Sequence, residues 1–112
     1  MSNMRNKVQL IGRLGIDPEM KNFDNGQMAR MSVATTDQYR NAKGEQVEDT
    51  QWHNVIAWGK TAEIAGKYLR KGQEVVINGK LETRQYDDKD GNKRYITQVV
   101  CSELVMVGKK EK

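Results

Sequence analysis

Trp52-His53-Asn54-Val55-Ile56-Ala57-Trp58-Gly59-Lys60 runs directly into Thr61-Ala62-Glu63-Ile64-Ala65-Gly66-Lys67-Tyr68-Leu69-Arg70-Lys71-Gly72. The first stretch reads as a strand, in which side chains two apart share a face. Trp52, Asn54, Ile56 and Trp58 then point one way, and His53, Val55 and Ala57 the other. From Thr61 to Arg70 the period changes. Ile64, Ala65, Tyr68 and Leu69 fall at helical spacing and predict one apolar stripe, with Tyr68 packing the helix on the core. Arg70 and Lys71 suit the negative end of that helix, and Gly72 the position after it.

Everything on either side reads as strand and turn. Upstream, Val8, Leu10, Gly12 and Leu14 alternate with Lys7, Gln9, Ile11 and Arg13, and Gly15 to Pro18 ends the strand. Asp24-Asn25-Gly26 is a hairpin turn signal. Ala29, Met31, Val33 and Thr35 alternate with Met28, Arg30, Ser32 and Ala34. The polar segment from Gln38 to Asp49 predicts a long solvated hairpin loop, a place where binding residues concentrate. Downstream, Val75, Ile77, Gly79, Leu81 and Thr83 alternate with Glu74, Val76, Asn78, Lys80, Glu82, Arg84 and Tyr86. Asp87 to Asn92 is a turn, and a last strand runs from about Lys93 to Val107 with a break near Ser102-Glu103. Three strands, a helix and two strands predict an all-β chain: a five-stranded Greek-key barrel with one helix between its third and fourth strands, the OB-fold. Such barrels commonly bind oligonucleotides, although fold alone does not prove the use.

The chain has 112 residues, enough for one compact domain. That domain is expected over residues 1–108, with 109–112 as a short, charged, frayed end. Hydrophobic residues make up 37%, which favours further burial in an oligomer. Lys and Arg number 19 against 15 Asp and Glu, so the net charge is +4, and the pI near 9.2 favours a polyanionic partner. The single Cys101 excludes an intrachain disulfide and reads as a small buried residue in an apolar run. No apolar stretch approaches the roughly 18 residues of a membrane helix, and Met1 to Arg5 leads into no signal-peptide core. The expectation is a soluble, cytoplasmic protein.

Catalytic patterns are poor. His53 has no nucleophile or acid beside it in a motif, and no zinc, P-loop or nucleophile-elbow pattern occurs. Asp87, Asp88 and Asp90 lack the distal Glu of a calcium loop and read as a solvated turn. Neither an enzyme, a metal nor a cofactor is expected. What remains is a set of aromatic residues beside cations: Tyr39 with Arg40, Trp52, Trp58 with Lys60, and Tyr86 with Arg84. Aromatic faces stack unpaired bases regardless of sequence, and Lys or Arg adds salt-dependent affinity. By residue type alone, Trp52 and Trp58 suit a core as well as a binding face. Tyr39 in a polar segment and Tyr86 on a polar strand face favour binding, whereas Phe23 and Tyr95 are expected to pack.

At these residues the chain resembles the bacterial single-stranded DNA-binding protein family, over roughly residues 5 to 107. The matching stretches include Asn6-Lys7-Val8, Gly12-Arg13-Leu14-Gly15-Ile16-Asp17-Pro18-Glu19 and Thr50-Gln51-Trp52-His53-Asn54-Val55. Further on they include Trp58-Gly59-Lys60-Thr61-Ala62-Glu63, Lys67-Tyr68-Leu69-Arg70-Lys71-Gly72, Gly79-Lys80-Leu81-Glu82-Thr83-Arg84-Gln85-Tyr86 and Asp90-Gly91-Asn92-Lys93-Arg94-Tyr95. The resemblance implies an OB-fold subunit that assembles as a homotetramer and wraps single-stranded DNA in replication, recombination and repair. It implies stacking by Tyr39, Trp52, Trp58 and Tyr86, basic contacts from Lys7, Lys60, Arg70, Lys71 and Arg84, and a subunit interface at His53. Asn54 and Glu82 stand where the family often has a cation, which implies weaker or more salt-sensitive binding. The family's flexible tail ends in an acidic tip that recruits other proteins. This sequence stops at Lys112 with a basic end, so recruitment by that route is not expected; a truncated form and a naturally tailless relative both fit. Alternative readings are a dimeric replication-restart accessory protein of the same fold, an RNA-binding OB module, and an assembly subunit whose aromatic face binds protein.

Overall fold

The computed structural model describes residues 5–107; the charged end expected at 109–112 lies outside them. Six strands and one helix follow in order: β1 (Val8–Leu14), β2 (Glu19–Phe23), β3 (Gly26–Arg40), β4 (Gln46–Trp58), α1 (Gly59–Tyr68), β5 (Glu74–Asp87) and β6 (Lys93–Val107). The sheet runs β1-β5-β6-β4-β3-β2, and β1 also pairs with β3. That second pairing, Arg13 to Ala34 and Leu14 to Val33, closes five strands into a barrel. Closure requires Gly12: a Cβ there would sit 2.1 Å from the Ala34 carbonyl oxygen, so no side chain fits where β1 crosses β3. All pairings are antiparallel except β4 with β6, which meet in parallel at Val55–Val99 and Ile56–Val100.

Alternation explains the interior. Leu14, Ala29, Met31, Val33, Val55, Ala57, Val75, Ile77, Val99 and Cys101 point inward, and Ala62 and Ala65 of α1, with Leu69 just after its end, complete the cluster. Leu69 is fully buried, and burial of such a side chain contributes about 1.5–3 kcal/mol. The helix begins two residues earlier than its periodicity indicates and ends at Tyr68. Its buried stripe is also narrower than expected. Ala62, Ala65 and Leu69 face the barrel, whereas Ile64 and Tyr68 are 40% and 50% exposed. Small residues bring the helix close to the barrel, which leaves the larger ones at its flanks. Tyr68 therefore does not anchor the helix; the Lys67 Nζ lies 5.8 Å from its ring centroid.

Two other expectations change. The Gln38–Asp49 segment is mostly strand: β3 and β4 pair without a break out to Arg40 and Gln46. Only residues 41–45 turn, held by the Asn41 Oδ1, which accepts from the Lys43 and Glu45 amides at 2.9 and 3.0 Å. Polar composition marked solvent exposure, not absence of pairing. The second change is an added strand, β2, which forms a hairpin with β3 through the Asp24-Asn25 turn. Exposed on most of its length, it carries too little apolar alternation to announce itself. The irregularity expected near Ser102-Glu103 is a register shift inside a continuous β6: Asn78 faces Glu103 and Gly79 faces Cys101.

The β3–β4 and β5–β6 ribbons extend beyond the barrel. The Cα radius of gyration is 16.1 Å, against about 13 Å for a compact chain of this length. The ribbons thus present long exposed flanks to a ligand.

Candidate nucleic-acid interface

Register decides which aromatic side chains meet. Across β3 and β4, Ala34 opposes Trp52, Ser32 opposes Asn54, Arg30 opposes Ile56 and Met28 opposes Trp58. Opposed residues share a face, so these eight side chains line the outside of the barrel wall. Ile56 is buried at 4% exposure while Trp52 and Trp58 stand out at 61% and 44%. The two rings lie about 20 Å apart along the strand, so each offers a separate stacking surface.

Trp52 rests on small neighbours. A Cβ built on Gly15 would lie 2.4 Å from its Cζ3 atom, so the ring sits directly on the Gly15 backbone, with Ala34 opposite. Trp58 meets Phe23, with ring centroids 5.8 Å apart and planes tilted by 40°. Immediately after Trp58, α1 opens without a side-chain cap and without an acid in its first turn. Its first amide groups and Lys60 therefore face an anion favourably.

The other sequence-predicted positions are placed elsewhere. Tyr39, 53% exposed, opposes Val47 near the ribbon tip. Its parity places it on the opposite face of the ribbon from Trp52. Tyr86, half-exposed, opposes Arg94 on the β5–β6 ribbon, on the same face as Arg84. Arg94 is held by Asp88 at 2.8 Å. That guanidinium, followed by the Asn92 amide, pulls the Asp88 carboxyl below its ordinary value. The same carboxyl accepts from the Asp90 and Asn92 amides, which fixes the turn.

Among the described residues, no side-chain hydrogen bond or ion pair engages Lys7, Lys60, Lys71 or Arg84. Arg70 differs. Its Nη1 donates to the Gly66 and Leu69 carbonyls at 3.0 and 2.6 Å, capping α1. Lys71 is placed by its backbone amide, which donates to the Asp17 Oδ1 at 2.7 Å. Glu82 accepts from the Gln98 Nε2 at 3.0 Å and so satisfies a buried amide. His53 faces the other side of β4 from the tryptophans; its Nε2 lies 2.9 Å from the Thr35 Oγ1. No group of three His, Cys, Asp or Glu side chains converges among the described residues, and no described helix is long and apolar enough to cross a membrane.

Besides Tyr68, sequence reasoning misplaced two aromatics. Phe23 and Tyr95, expected to pack, are 48% and 68% exposed. The register of the Asn25-Gly26 hairpin contained the signal for Phe23, since it puts this ring on the Trp58 side of the sheet.

A closed five-stranded barrel with a helix between β4 and β5 defines an OB-fold protein, and its exposed rings make the outer wall the candidate ligand surface. The chain belongs to the single-strand binding protein family, whose profile matches residues 5–107. It is 43% identical over 113 residues to single-stranded DNA-binding protein 1 of Chlorobaculum tepidum, covering 99% of this chain and 70% of the relative. The protein of the same name from Xylella fastidiosa is 44% identical over 108 residues, covering 95% and 79%. Among solved structures, a Plasmodium falciparum SSB complex with single-stranded DNA superposes with a TM-score of 0.84 at 30% identity, covering 96% of this chain and 99% of that one. A deletion mutant of the Thermus aquaticus single-stranded DNA-binding protein gives 0.80 at 32% identity, covering 92% and 50%.

Proposed function

We propose that this chain binds single-stranded DNA without sequence preference and protects it during replication, recombination and repair. The observation that carries the reading is the exposed outer wall of β4, where two tryptophans stand out into solvent and Lys60, just beyond Trp58, has no internal partner among the described residues. The names of the relatives, and the DNA bound in the Plasmodium complex, support it. Trp52, Trp58, Tyr39 and Tyr86 stack bases. Lys7, Lys60, Lys71 and Arg84 hold phosphates, and Arg70 adds charge from its capping position. Because Tyr39 lies on the far side of its ribbon from Trp52, a strand that uses both must pass around the ribbon. This favours a wrapped path over a straight groove.

The protein acts as a homotetramer in the cytoplasm, at the nucleoid, with His53 near a subunit contact and residues 1–108 as the DNA-binding domain. It performs no catalysis. Titration with poly-dT at two salt concentrations tests the reading. Tryptophan emission should be quenched to a sharp endpoint, with affinity falling as salt rises. Unchanged emission together with no mobility shift refutes it. Mass measurement in solution separates a tetramer from the dimer of a replication-restart accessory protein.

A further inference from the structure

We propose that Phe23 is a base-stacking residue and forms with Trp58 a two-ring site for one unpaired base at the β2–β3 hairpin. The inference rests on the single-stranded DNA reading above and extends the binding surface beyond the positions which the family resemblance supplies.

The hairpin register places the ring. Phe23 opposes Gly26 and Lys21 opposes Met28, which in turn opposes Trp58. Phe23, Lys21, Met28 and Trp58 therefore share the outer face of the sheet. Gly26 offers no side chain to cover Phe23, and nothing lies within 4 Å of where its Cβ would be. The phenyl ring instead reaches diagonally to Trp58, at 5.8 Å and a 40° tilt. The tilt matters: two parallel rings in contact would hide one face each, whereas this open pair leaves Phe23 48% and Trp58 44% exposed. A phenylalanine that served only to pack the hairpin would be covered, yet this one leaves half its surface in water beside a tryptophan.

Charge completes the site. Lys21 lies on the same face two residues before Phe23, and Lys60 follows Trp58 by two. Neither has a hydrogen-bond or ion-pair partner among the described residues. Glu19 on that face is already paired with Arg30 at 3.4 Å. A base held by the two rings thus has a cation on either side for its flanking phosphates. The site continues the Trp52–Trp58 line outward along the wall toward the hairpin tip, so it lengthens the DNA path.

The test compares Phe23→Ala, Phe23→Leu and Phe23→Tyr on dT oligomers by fluorescence anisotropy. In a Trp52→Phe background Trp58 is the sole tryptophan, and its quenching reports on the pair. Phe23→Ala and Phe23→Leu should each weaken binding about five- to tenfold, at the low end of a stacking contribution because Trp58 remains. Phe23→Tyr should bind within about twofold of wild type, since it keeps the π-face. Combining Phe23→Ala with Trp58→Ala should cost less than the product of the two single effects. Wild-type affinity in Phe23→Ala, or full rescue by Phe23→Leu, overturns the proposal, because leucine restores packing without stacking. A wild-type chain that fails to bind dT overturns the functional reading itself, before any variant is compared.

Discussion

Gly15→Ala separates the positioning of Trp52 from its presence. Gly15 is not among the residues with positive φ, so alanine fits its backbone. The added methyl would nevertheless stand 2.4 and 2.7 Å from the Trp52 Cζ3 and Cη2 atoms, where ordinary contact begins at 3.4 Å. The ring must retreat by about 1 Å or rotate away. It is 61% exposed, so it can swing into solvent without opening the core. Stability should therefore change by no more than about 1 kcal/mol, since alanine also restricts the unfolded chain. Binding should suffer more. A stacked base contributes about 1–3 kcal/mol, and loss of the seated ring position should forfeit about 1–2 kcal/mol, or roughly five- to thirtyfold in affinity. Poly-dT titration by mobility shift, paired with a thermal melt, reads both quantities. Adding Trp52→Ala to Gly15→Ala should produce no loss beyond Trp52→Ala alone, because both act through one ring. Wild-type affinity in Gly15→Ala would refute the reasoning. So would a fall in melting temperature well beyond the 4–8 °C that about 1 kcal/mol produces in a small domain, since the Trp52–Gly15 contact would then be structural.

Lys60→Ala should weaken dT binding at low salt and lower the slope of log affinity against log salt by about 0.7, the contribution of one phosphate contact on a single strand; an unchanged slope places Lys60 off the DNA path. Asp88 has a lowered carboxyl pKa, so its contribution to the β5–β6 turn is complete above the ordinary value of 3.8 and is lost as pH falls through the depressed one. The protection of the Asp90 and Asn92 amides against exchange, relative to their intrinsic rates, should fall over that acid range, and Asp88→Asn should abolish the dependence. Cys101 is pushed up to about 11, mainly by burial and further by the Glu103 charge, although a backbone hydrogen bond from Glu103 partly opposes this. At pH 8 its thiol should resist alkylation in the folded protein and react on addition of denaturant; rapid native labelling would show that β6 opens locally.

Much of the fold and part of the site are legible in the sequence. The period-2 alternation of Val8–Leu14, the tryptophan strand and Val75–Thr83, with a single helical stripe between, determined a barrel with one helix, because burial on one side imposes that pattern on any strand. The same parity put Trp52 and Trp58 on one face. Only the tertiary structure decided what surrounds them. Whether Trp52 is core or surface depends on Gly15, far along the chain, and on which side of the wall closes over when β1 crosses β3 at Gly12. Strand alternation is identical either way. Phe23 and Tyr95 looked like packing residues because phenylalanine and tyrosine carry the same apolar surface inside or out; the hairpin register and the projecting ribbon left them exposed. The place of Arg70 at the negative end of the helix was legible from the sequence, but its engagement by the Gly66 and Leu69 carbonyls was not. Local pattern is written along the chain and can be read there, whereas exposure, ring contacts and the engagement of charges arise between segments distant in sequence, and exist only once the barrel has closed.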